Sequence, residues 1–185
     1  MENFIRDSDQ EQILIERAKK NPKDFAPLYE KYYKSIFLFV HRRVNDSSLA
    51  SDISSQVFLK ALSSLSKYKY QGFAFSSWLY RVAINEVNEF FRKNKVRRCF
   101  PLEFHGVESL FESFDSGDED YQEKEAKLIK ALKSLETEDL QLIDLRFFEG
   151  RSFKEIAYLL NITENNAKVK TYRIIDKLKK FFFSR

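Results

Sequence analysis

The C-terminal part of the sequence carries polar side chains at a spacing that suits the edges of nucleic-acid bases. A helix is predicted from Glu164 to about Lys180, and its outer face remains polar. The residues of that face able to meet DNA are Asn165, Asn166, Lys168, Lys170, Tyr172 and Arg173. Asparagine pairs bidentately with adenine and arginine with guanine, whereas lysine mostly meets phosphate. This face predicts a reader of duplex DNA, and the alternative is the solvated face of an ordinary helical hairpin.

A second set of residues interleaves aromatic rings with positive charge between residues 67 and 98. The rings are Tyr68, Tyr70, Phe73, Trp78 and Tyr80, and the charges include Lys67, Lys69, Arg81 and Arg92. Unpaired bases stack on rings while cations follow the backbone, so this combination is typical of single-stranded DNA binding. Asn85 lies one helical turn beyond Arg81, and Asn88 follows three residues later. The alternative is that Phe73 and Trp78 simply fill the core.

The sequence offers no constellation for catalysis or for holding a metal. It has no Gly-rich phosphate loop, no pair of catalytic carboxylates and no Cys pair. His41 and His105 each stand without a Cys or a second His at ligand spacing. We therefore expect no catalytic residue, no metal, no cofactor and no small-molecule substrate.

Composition and hydrophobic periodicity favour an all-α fold in two small domains. Only four Gly and three Pro are present, and 43% of the residues are apolar, which is enough to bury a core. Residues 1–98 and 123–185 are predicted to be helical domains. Residues 99–122 lack periodicity and are predicted to be a flexible acidic linker.

Four helices are predicted in the first domain. They are residues 9–20, a helix with Asp24 as its N-cap, a helix that follows the turn at 45–48, and a helix capped by Ser76 or Ser77. The third helix would place Leu49, Ile53, Val57 and Ala61 on one face. The fourth would end in the basic segment 93–98.

The second domain is predicted to end in a helix-turn-helix. A helix over 123–134 and one capped by Thr137 come first, and Gly150 ends the latter. Ser152 and Glu155 form a capping box for a short helix over 153–160. A three-residue turn and a long basic helix capped by Thr163 follow, which is the arrangement that places the second helix in the major groove.

The charges are distributed in blocks. Residues 60–100 hold nine Lys/Arg against two Glu, residues 103–125 hold nine Asp/Glu against one Lys, and residues 164–185 hold seven basic against two acidic residues. This pattern suggests two modules that face nucleic acid, although solvated helix faces without a partner would give it too. The single cysteine, the charged N-terminus and the absence of a long apolar run predict a soluble, cytoplasmic protein.

Three stretches resemble parts of bacterial sigma factors. Residues 145–163 (LRFFEGRSFKEIAYLLNIT) are similar to the promoter-binding C-terminal domain, and residues 75–85 (FSSWLYRVAIN) to the segment that melts the −10 element. Residues 52–61 (DISSQVFLKA) are similar to the helix that grips the RNA polymerase clamp. Two such domains and a short linker resemble the extracytoplasmic-function group, over about residues 20–98 and 123–182.

The resemblance implies a role for each set of residues and names the partners. Core RNA polymerase would be bound at its clamp by Asp52, Gln56 and Leu59, and at its flap by the start of the second domain. The melted −10 strand would meet Phe73, Trp78, Arg81, Asn85, Asn88 and Arg92. The −35 element would be read by Asn165, Asn166, Lys168, Lys170, Tyr172 and Arg173. An anti-sigma factor is a further partner that the family suggests.

The chain departs from the family pattern at several positions. Ser55 and Gln56 replace the usual Gln-Glu, which removes one acidic polymerase contact, and residues 165–167 replace the more usual Gly-Thr-Val. Asn161 replaces a common Gly in the turn, and we expect the turn to form because Asn tolerates the left-handed conformation. The alternative function is a free-standing helix-turn-helix repressor or activator that dimerises through the N-terminal helices. It would leave the segment 67–98 unexplained.

Overall fold

The computed structural model describes residues 2–94, 127–132 and 134–183. Every regular element in these ranges is helical, and no strand occurs within them. The chain divides into two compact units, Met1–Cys99 and Phe100–Arg185, and we describe each by itself. The predicted all-α fold with a C-terminal helix-turn-helix is confirmed, whereas the predicted linker at 99–122 lies outside the described residues. None of the described helices combines the length and hydropathy that a membrane-spanning segment needs.

Within residues 2–94, the first unit forms four α-helices and two short 3₁₀ turns. The helices are α1 (Glu2–Lys20), α2 (Ala26–Val44), α3 (Ser47–Ser64) and α4 (Phe75–Asn94), and the 3₁₀ turns are Pro22–Phe25 and Leu65–Lys67. Helix α2 packs against both α3 and α4, which also pack against each other. The core consists of apolar residues at helical spacing, among them Leu28, Ile36, Phe39, Val40, Ile53, Val57, Ala61, Leu79, Ala83 and Val87. The stripe predicted for the third helix therefore faces inward, with Leu49 at its half-buried end. Of the stripe that the sequence predicts for the fourth helix, Leu79, Ala83 and Val87 are buried, whereas Val82 and Phe90 are half-buried.

The helix ends in this unit show which local predictions were right. The predicted turn at 45–48 contains the cap of α3: Asp46 accepts a hydrogen bond from the Leu49 amide at 2.8 Å. Asp24 is not a cap: Asn21 takes that role for the 3₁₀ turn, accepting from the Lys23 amide at 3.2 Å. Pro22 favours this earlier start because its fixed φ suits the first helical position.

Two further helix starts differ from the prediction. Helix α1 begins at Glu2 rather than at residue 9. Helix α4 begins at Phe75, ahead of both Ser76 and Ser77, so neither serine is its cap. Ser77 is buried, and Phe75 is drawn inward by the rings of Tyr68 and Trp78 at centroid distances of 5.3 Å each.

The second unit is built from shorter helices around one long one. Residues 127–132 are helical, and α5 (Thr137–Ile143), a π-helical turn (Asp144–Phe148), α6 (Phe153–Leu160) and α7 (Glu164–Phe183) follow. Thr137 is not the cap of α5, because Glu136 holds the N-cap position with extended backbone and no side-chain hydrogen bond. Gly150 has φ +63°, the left-handed conformation predicted for the residue that ends the helical run. The core of the second unit includes Leu128, Leu132, Leu140, Ile143, Leu145, Ile156 and Leu178.

Ser54 provides a test of the packing inside α3. Its side chain is buried, and its hydroxyl oxygen finds no hydrogen-bond partner among the described residues. A buried hydroxyl without a partner costs about 1 kcal/mol or more, so Ser54→Ala should raise the free energy of unfolding by about 1 kcal/mol. Chemical denaturation measures this.

Ser63→Ala is the matched control on the same helix, because the exposed Ser63 hydroxyl donates to the Leu59 carbonyl at 2.8 Å. We expect little change from it. A loss of stability on Ser54→Ala would show that the hydroxyl is hydrogen-bonded in solution.

Candidate nucleic-acid interface

The helix-turn-helix is held by a capping box at one end and a left-handed turn in its middle. The Ser152 hydroxyl accepts from the Glu155 amide at 3.2 Å, and the Glu155 carboxylate accepts from the Ser152 amide at 3.2 Å. Asn161 follows α6 with φ 56° and ψ 46°, so the predicted left-handed turn forms without glycine. Thr163 then caps α7 by accepting from the Asn166 amide at 3.2 Å.

The packing of α6 against α7 decides which face of α7 is outward. The sequence predicts an inward set at the helix-turn-helix. Its members Ile156 and Ala157 on α6 and Ala167, Ile174 and Leu178 on α7 are buried, whereas Ile162 in the turn is only half-buried. Two inward residues were not predicted: Ile175 and Thr171. Thr171 is buried because its hydroxyl donates to the Ala167 carbonyl at 2.8 Å within the helix, which satisfies the polar group.

The predicted base-reading residues lie on the side of α7 that faces away from this core. Asn165, Asn166, Lys168, Tyr172 and Arg173 are exposed, and Lys170 is half-buried at the margin. Within the described residues, the side chains of Asn165, Lys168 and Arg173 make no hydrogen bond or ion pair, so their polar atoms remain available. Val169 is exposed on the same face. A search for polar residues alone does not find Val169, but the helical period places it on this face, one turn from Asn165 and Arg173.

The ring of Tyr172 packs against a residue of α6. This residue is Phe153, the first of the helix, and the two ring centroids lie 6.2 Å apart. The Arg146 guanidinium lies over the other ring, 4.8 Å from the Phe153 centroid, and donates to the Arg151 carbonyl at 3.0 Å. This series of contacts orients the Tyr172 side chain while 52% of the residue stays exposed.

A line of side chains runs along the outer face of α4 in the first unit. Its members are Trp78, Arg81, Asn85, Asn88 and Arg92, at alternating steps of three and four residues. Such steps keep residues on one side of a helix, and this side is opposite to the buried Leu79, Ala83 and Val87. Asn85 and Arg92 are exposed and the others are half-buried. Phe73, also half-buried, precedes α4 in the chain.

The aromatic residues of segment 67–98 differ in their exposure. Tyr68 and Tyr80 belong to the core, with 6% and 8% exposure, so the prediction that they supply rings for bases is wrong. Tyr70 is 68% exposed. Trp78 is intermediate, because its ring packs on Tyr68 at 5.0 Å yet remains partly accessible beside Arg81.

The predicted polymerase contacts lie on the outer face of α3. Asp52, Gln56 and Leu59 follow each other at steps of four and three residues, and all three are exposed. Leu59 is 56% exposed. A groove between α3 and α4 opens beside them, lined in part by Asp52, Gln56, Lys60, Glu86 and Phe90.

An ion-pair network spans that groove. The Lys60 ammonium on α3 lies 2.6 Å from the Glu86 carboxylate and 3.1 Å from Glu89, both on α4. Lys93 contacts Glu89 at 2.7 Å. Hydrogen bonds from Lys93 and Lys60 lower the pKa of Glu89 to about 2, and the carboxylates of Glu86 and Glu89 raise the pKa of Lys60. The negative charges of Glu86 and Glu89 are thereby balanced by lysines beside the outer face of α4.

Among the described residues, no group of three His, Cys, Asp or Glu could hold a metal ion.

Two family models match the chain, one on each unit. Sigma-70 region 2 matches residues 28–97, which include α3, α4 and the outer face of each. Sigma-70, region 4 matches residues 125–178, which include the helix-turn-helix.

Similar curated proteins carry sigma-factor names. The ECF RNA polymerase sigma factor BldN of Streptomyces coelicolor is 30% identical over 184 residues, an alignment that covers 93% of this chain and 66% of BldN. The chain thus spans about two thirds of the length of that relative. RNA polymerase sigma factor SigZ of Bacillus subtilis is 28% identical, with 82% of this chain and 83% of SigZ covered.

A solved structure shares the fold. It is the sigma factor RpoE in complex with the anti-sigma factor NepR from Bartonella quintana, with a TM-score of 0.57 and 19% identity. The match covers 88% of this chain and 99% of that one. At this identity the likeness supports the fold alone.

The network around Lys60 predicts a measurable change in the pKa of Glu89. Lys93→Met and Lys60→Met should each raise that pKa from about 2 toward the ordinary 4.5, because each removes a hydrogen bond to the carboxylate. A pH titration of the Glu89 carboxyl signal by NMR measures it. Because the folded pKa is lowered, the stabilisation is present above pH 4.5 and is lost as the pH falls toward 2.

Lys34→Met is the control, since Lys34 is an exposed lysine on α2 outside this network. An unchanged Glu89 titration in both test variants would mean that the network does not persist in solution.

Proposed function

The chain belongs to the bacterial sigma-70 factors of the extracytoplasmic-function group, and on that premise we propose that it binds core RNA polymerase and directs it to promoters. The observation that carries this proposal is the presence of two distinct outward faces in one chain. The line along α4 suits unpaired bases, and the outer face of α7 suits a duplex. The chain contributes binding and positioning, with no catalytic step of its own.

The polymerase contact is proposed on α3. Asp52, Gln56 and Leu59 would meet the clamp, with Leu59 supplying the apolar centre and the two polar residues its rim. The start of the second predicted domain, from residue 123, would meet the flap. Because transcription takes place where chromosome and polymerase meet, the proposed location is the cytoplasm.

The −10 element is proposed to bind along α4. Trp78, Arg81, Asn85, Asn88 and Arg92 present a ring edge, amides and guanidinium groups in one line, and this is the combination that holds single-stranded DNA. Phe73 would lie at the start of that line. The ion pairs of Glu86 and Glu89 support the assignment, because they reduce repulsion between α4 and phosphate.

The −35 element is proposed to be read by α7. Asn165, Asn166 and Arg173 carry groups that can read base edges, and Lys168 and Lys170 carry charges for phosphates. Tyr172 would meet the duplex beside α6. Of 20 residues in α7, six are basic and two acidic, which gives the helix a net charge of +4.

The alternative of a free-standing repressor or activator is not favoured. It would use only the helix-turn-helix, whereas the region 2 model matches residues 28–97, the part that such a protein leaves unexplained. An anti-sigma factor is a proposed regulatory partner, since RpoE of Bartonella quintana was solved with the anti-sigma factor NepR.

Reconstituted transcription on fragmented genomic DNA tests the proposed function. The full chain and core polymerase are combined, and the 5′ ends of the transcripts are read. Start sites with a shared pair of upstream elements, absent with core alone, would support the proposal. Binding of the chain alone to palindromic duplex, without new start sites, would favour the repressor.

Leu59→Asp tests the proposed clamp contact, with Leu38→Asp as its matched control. It places a charge at the centre of the proposed clamp contact and should weaken core binding by about tenfold or more. Leu38→Asp on α2, where the leucine is 46% exposed, should leave core binding unchanged.

Asn85→Ala should impair promoter opening more than promoter binding. Loss of one or two hydrogen bonds to an unpaired base should reduce the permanganate reactivity of the −10 thymines roughly two- to tenfold. Gel-shift affinity for the closed complex should stay the same. Trp78→Ala should impair opening in the same way, but it also removes a ring that packs on Tyr68 and Phe75. Asn85, which is exposed, therefore gives the cleaner measurement.

Asn94→Ala is the control, because the Asn94 amide is committed to the Phe90 carbonyl at 2.9 Å. Equal reactivity in Asn85→Ala and the wild type would remove Asn85 from the −10 site.

Lys168→Ala should weaken binding to every promoter and lower the slope of log affinity against log salt by about one. Holoenzyme titrations at several salt concentrations measure both quantities.

Arg173→Ala should instead relax discrimination between bases at one or two −35 positions, because a guanidinium that pairs with guanine distinguishes it from the other bases.

Lys34→Ala, an exposed lysine on α2 outside all the proposed binding sites, is the control for charge. An equal loss at every sequence on Arg173→Ala would assign Arg173 to the backbone, and an unchanged salt slope on Lys168→Ala would remove Lys168 from it.

A further inference from the structure

We propose that Val169 is a specificity-determining residue that recognises the C5-methyl group of one thymine in the −35 element. This inference rests on the proposed function, because it requires α7 to lie in the major groove. It adds an apolar reader to a face that is otherwise defined by its polar residues.

The exposure of Val169 is the first observation. In the described part of the second unit, the exposed large hydrophobic side chains are Val169, at 38%, and Tyr172, at 52%. The other apolar residues of α7 with described side chains, such as Ala167, Ile174 and Leu178, are buried. A β-branched residue is also slightly unfavourable in a helix, so neither packing nor helix propensity accounts for valine here.

The position of Val169 is the second observation. Asn165 and Arg173 lie one turn before and after it, and Asn166 and Tyr172 lie three residues away. All four neighbours are exposed. Val169 is thus at the centre of the outer face, between the side chains best suited to read bases. A residue at this place is the one that a groove would enclose most completely.

The chemistry of the major groove then selects the ligand. Base edges there present hydrogen-bond donors and acceptors, and the apolar group among them is the C5-methyl of thymine. An isopropyl group against a donor or acceptor would remove water without replacing its hydrogen bond. Against a methyl group it buries apolar surface on both sides. If Asn165 and Arg173 contact the neighbouring base pairs, a thymine between them gives Val169 an apolar contact and leaves the hydrogen bonds to the other two residues.

A protein partner fits this surface less well. Two exposed apolar side chains amid lysines, an arginine and asparagines make a patch far smaller than the apolar centre of a stable protein interface. Tyr172 is moreover packed against Phe153, with centroids 6.2 Å apart, which keeps its ring toward α6. Val169 is therefore the apolar residue placed to enter the groove.

Replacement of thymine by deoxyuridine tests the proposal, because it removes only the methyl group. Each −35 thymine of a promoter recovered from the transcription experiment is replaced in turn, and holoenzyme affinity is measured. We expect one position at which deoxyuridine weakens wild-type binding about fourfold, the effect of one buried methyl group. With Val169→Ala, thymine and deoxyuridine at that position should bind equally.

Lys168→Ala is the control variant, and it should lower affinity while it keeps the fourfold preference for thymine. Val169→Ala should not lose thermal stability, because Val169 is exposed and alanine has the higher helix propensity. Thermal unfolding of the full chain verifies this.

The results separate the two proposals. A −35 element without any deoxyuridine-sensitive thymine, or a preference for thymine that persists in Val169→Ala, would overturn the role of Val169 while promoter binding remains intact. Absence of promoter binding by the wild-type holoenzyme would instead contradict the proposed function itself.

Discussion

The packing of α6 against α7 is the constraint on which the C-terminal unit depends. Ala157 and Ala167 are buried where the two helices meet, and side chains without atoms beyond Cβ let helix backbones approach closely. Asn161 turns the chain between them in the left-handed conformation. Because Ala167, Thr171 and Ile174 face the core, the period of α7 leaves the opposite side to solvent. The residues on that side are Asn165, Val169 and Arg173.

The same period organises α4, with a different result. Its inner face is apolar and its outer face carries the line from Trp78 to Arg92, while Glu86 and Glu89 lie beside the groove to α3. Lys60 reaches both carboxylates from α3, so ion pairs connect the proposed polymerase surface to the helix proposed to hold the −10 strand. Because these ion pairs are exposed, water and salt screen them, and the network adds orientation and charge balance more than stability.

Local interactions account for the predictions that were right, and competition accounts for those that were wrong. The capping box at Ser152, the cap at Thr163 and the left-handed Asn161 each depend on residues within four positions, which the sequence displays directly. Asp24, Thr137 and the serines at 76 and 77 are equally plausible caps by residue type. None of them is a cap, because each helical segment begins at another residue. Asn21 caps the 3₁₀ turn that starts at Pro22, and Glu136 holds the N-cap position of α5 with extended backbone. Helix α4 begins at Phe75, whose ring is packed in the core.

The all-α class, the helix-turn-helix and the faces of α3, α4 and α7 could be predicted from the sequence, because helical period and caps act over a few residues. Which rings are available to bases depends on packing between distant parts of the chain. Tyr80 is buried because its ring packs edge-to-face on Phe39, 4.8 Å away, and Phe75 is held by Tyr32 at 5.9 Å. Such contacts join residues some forty positions apart in the chain, so no local pattern reveals them. That is also why Tyr70 and Tyr80, alike in the sequence, differ in exposure.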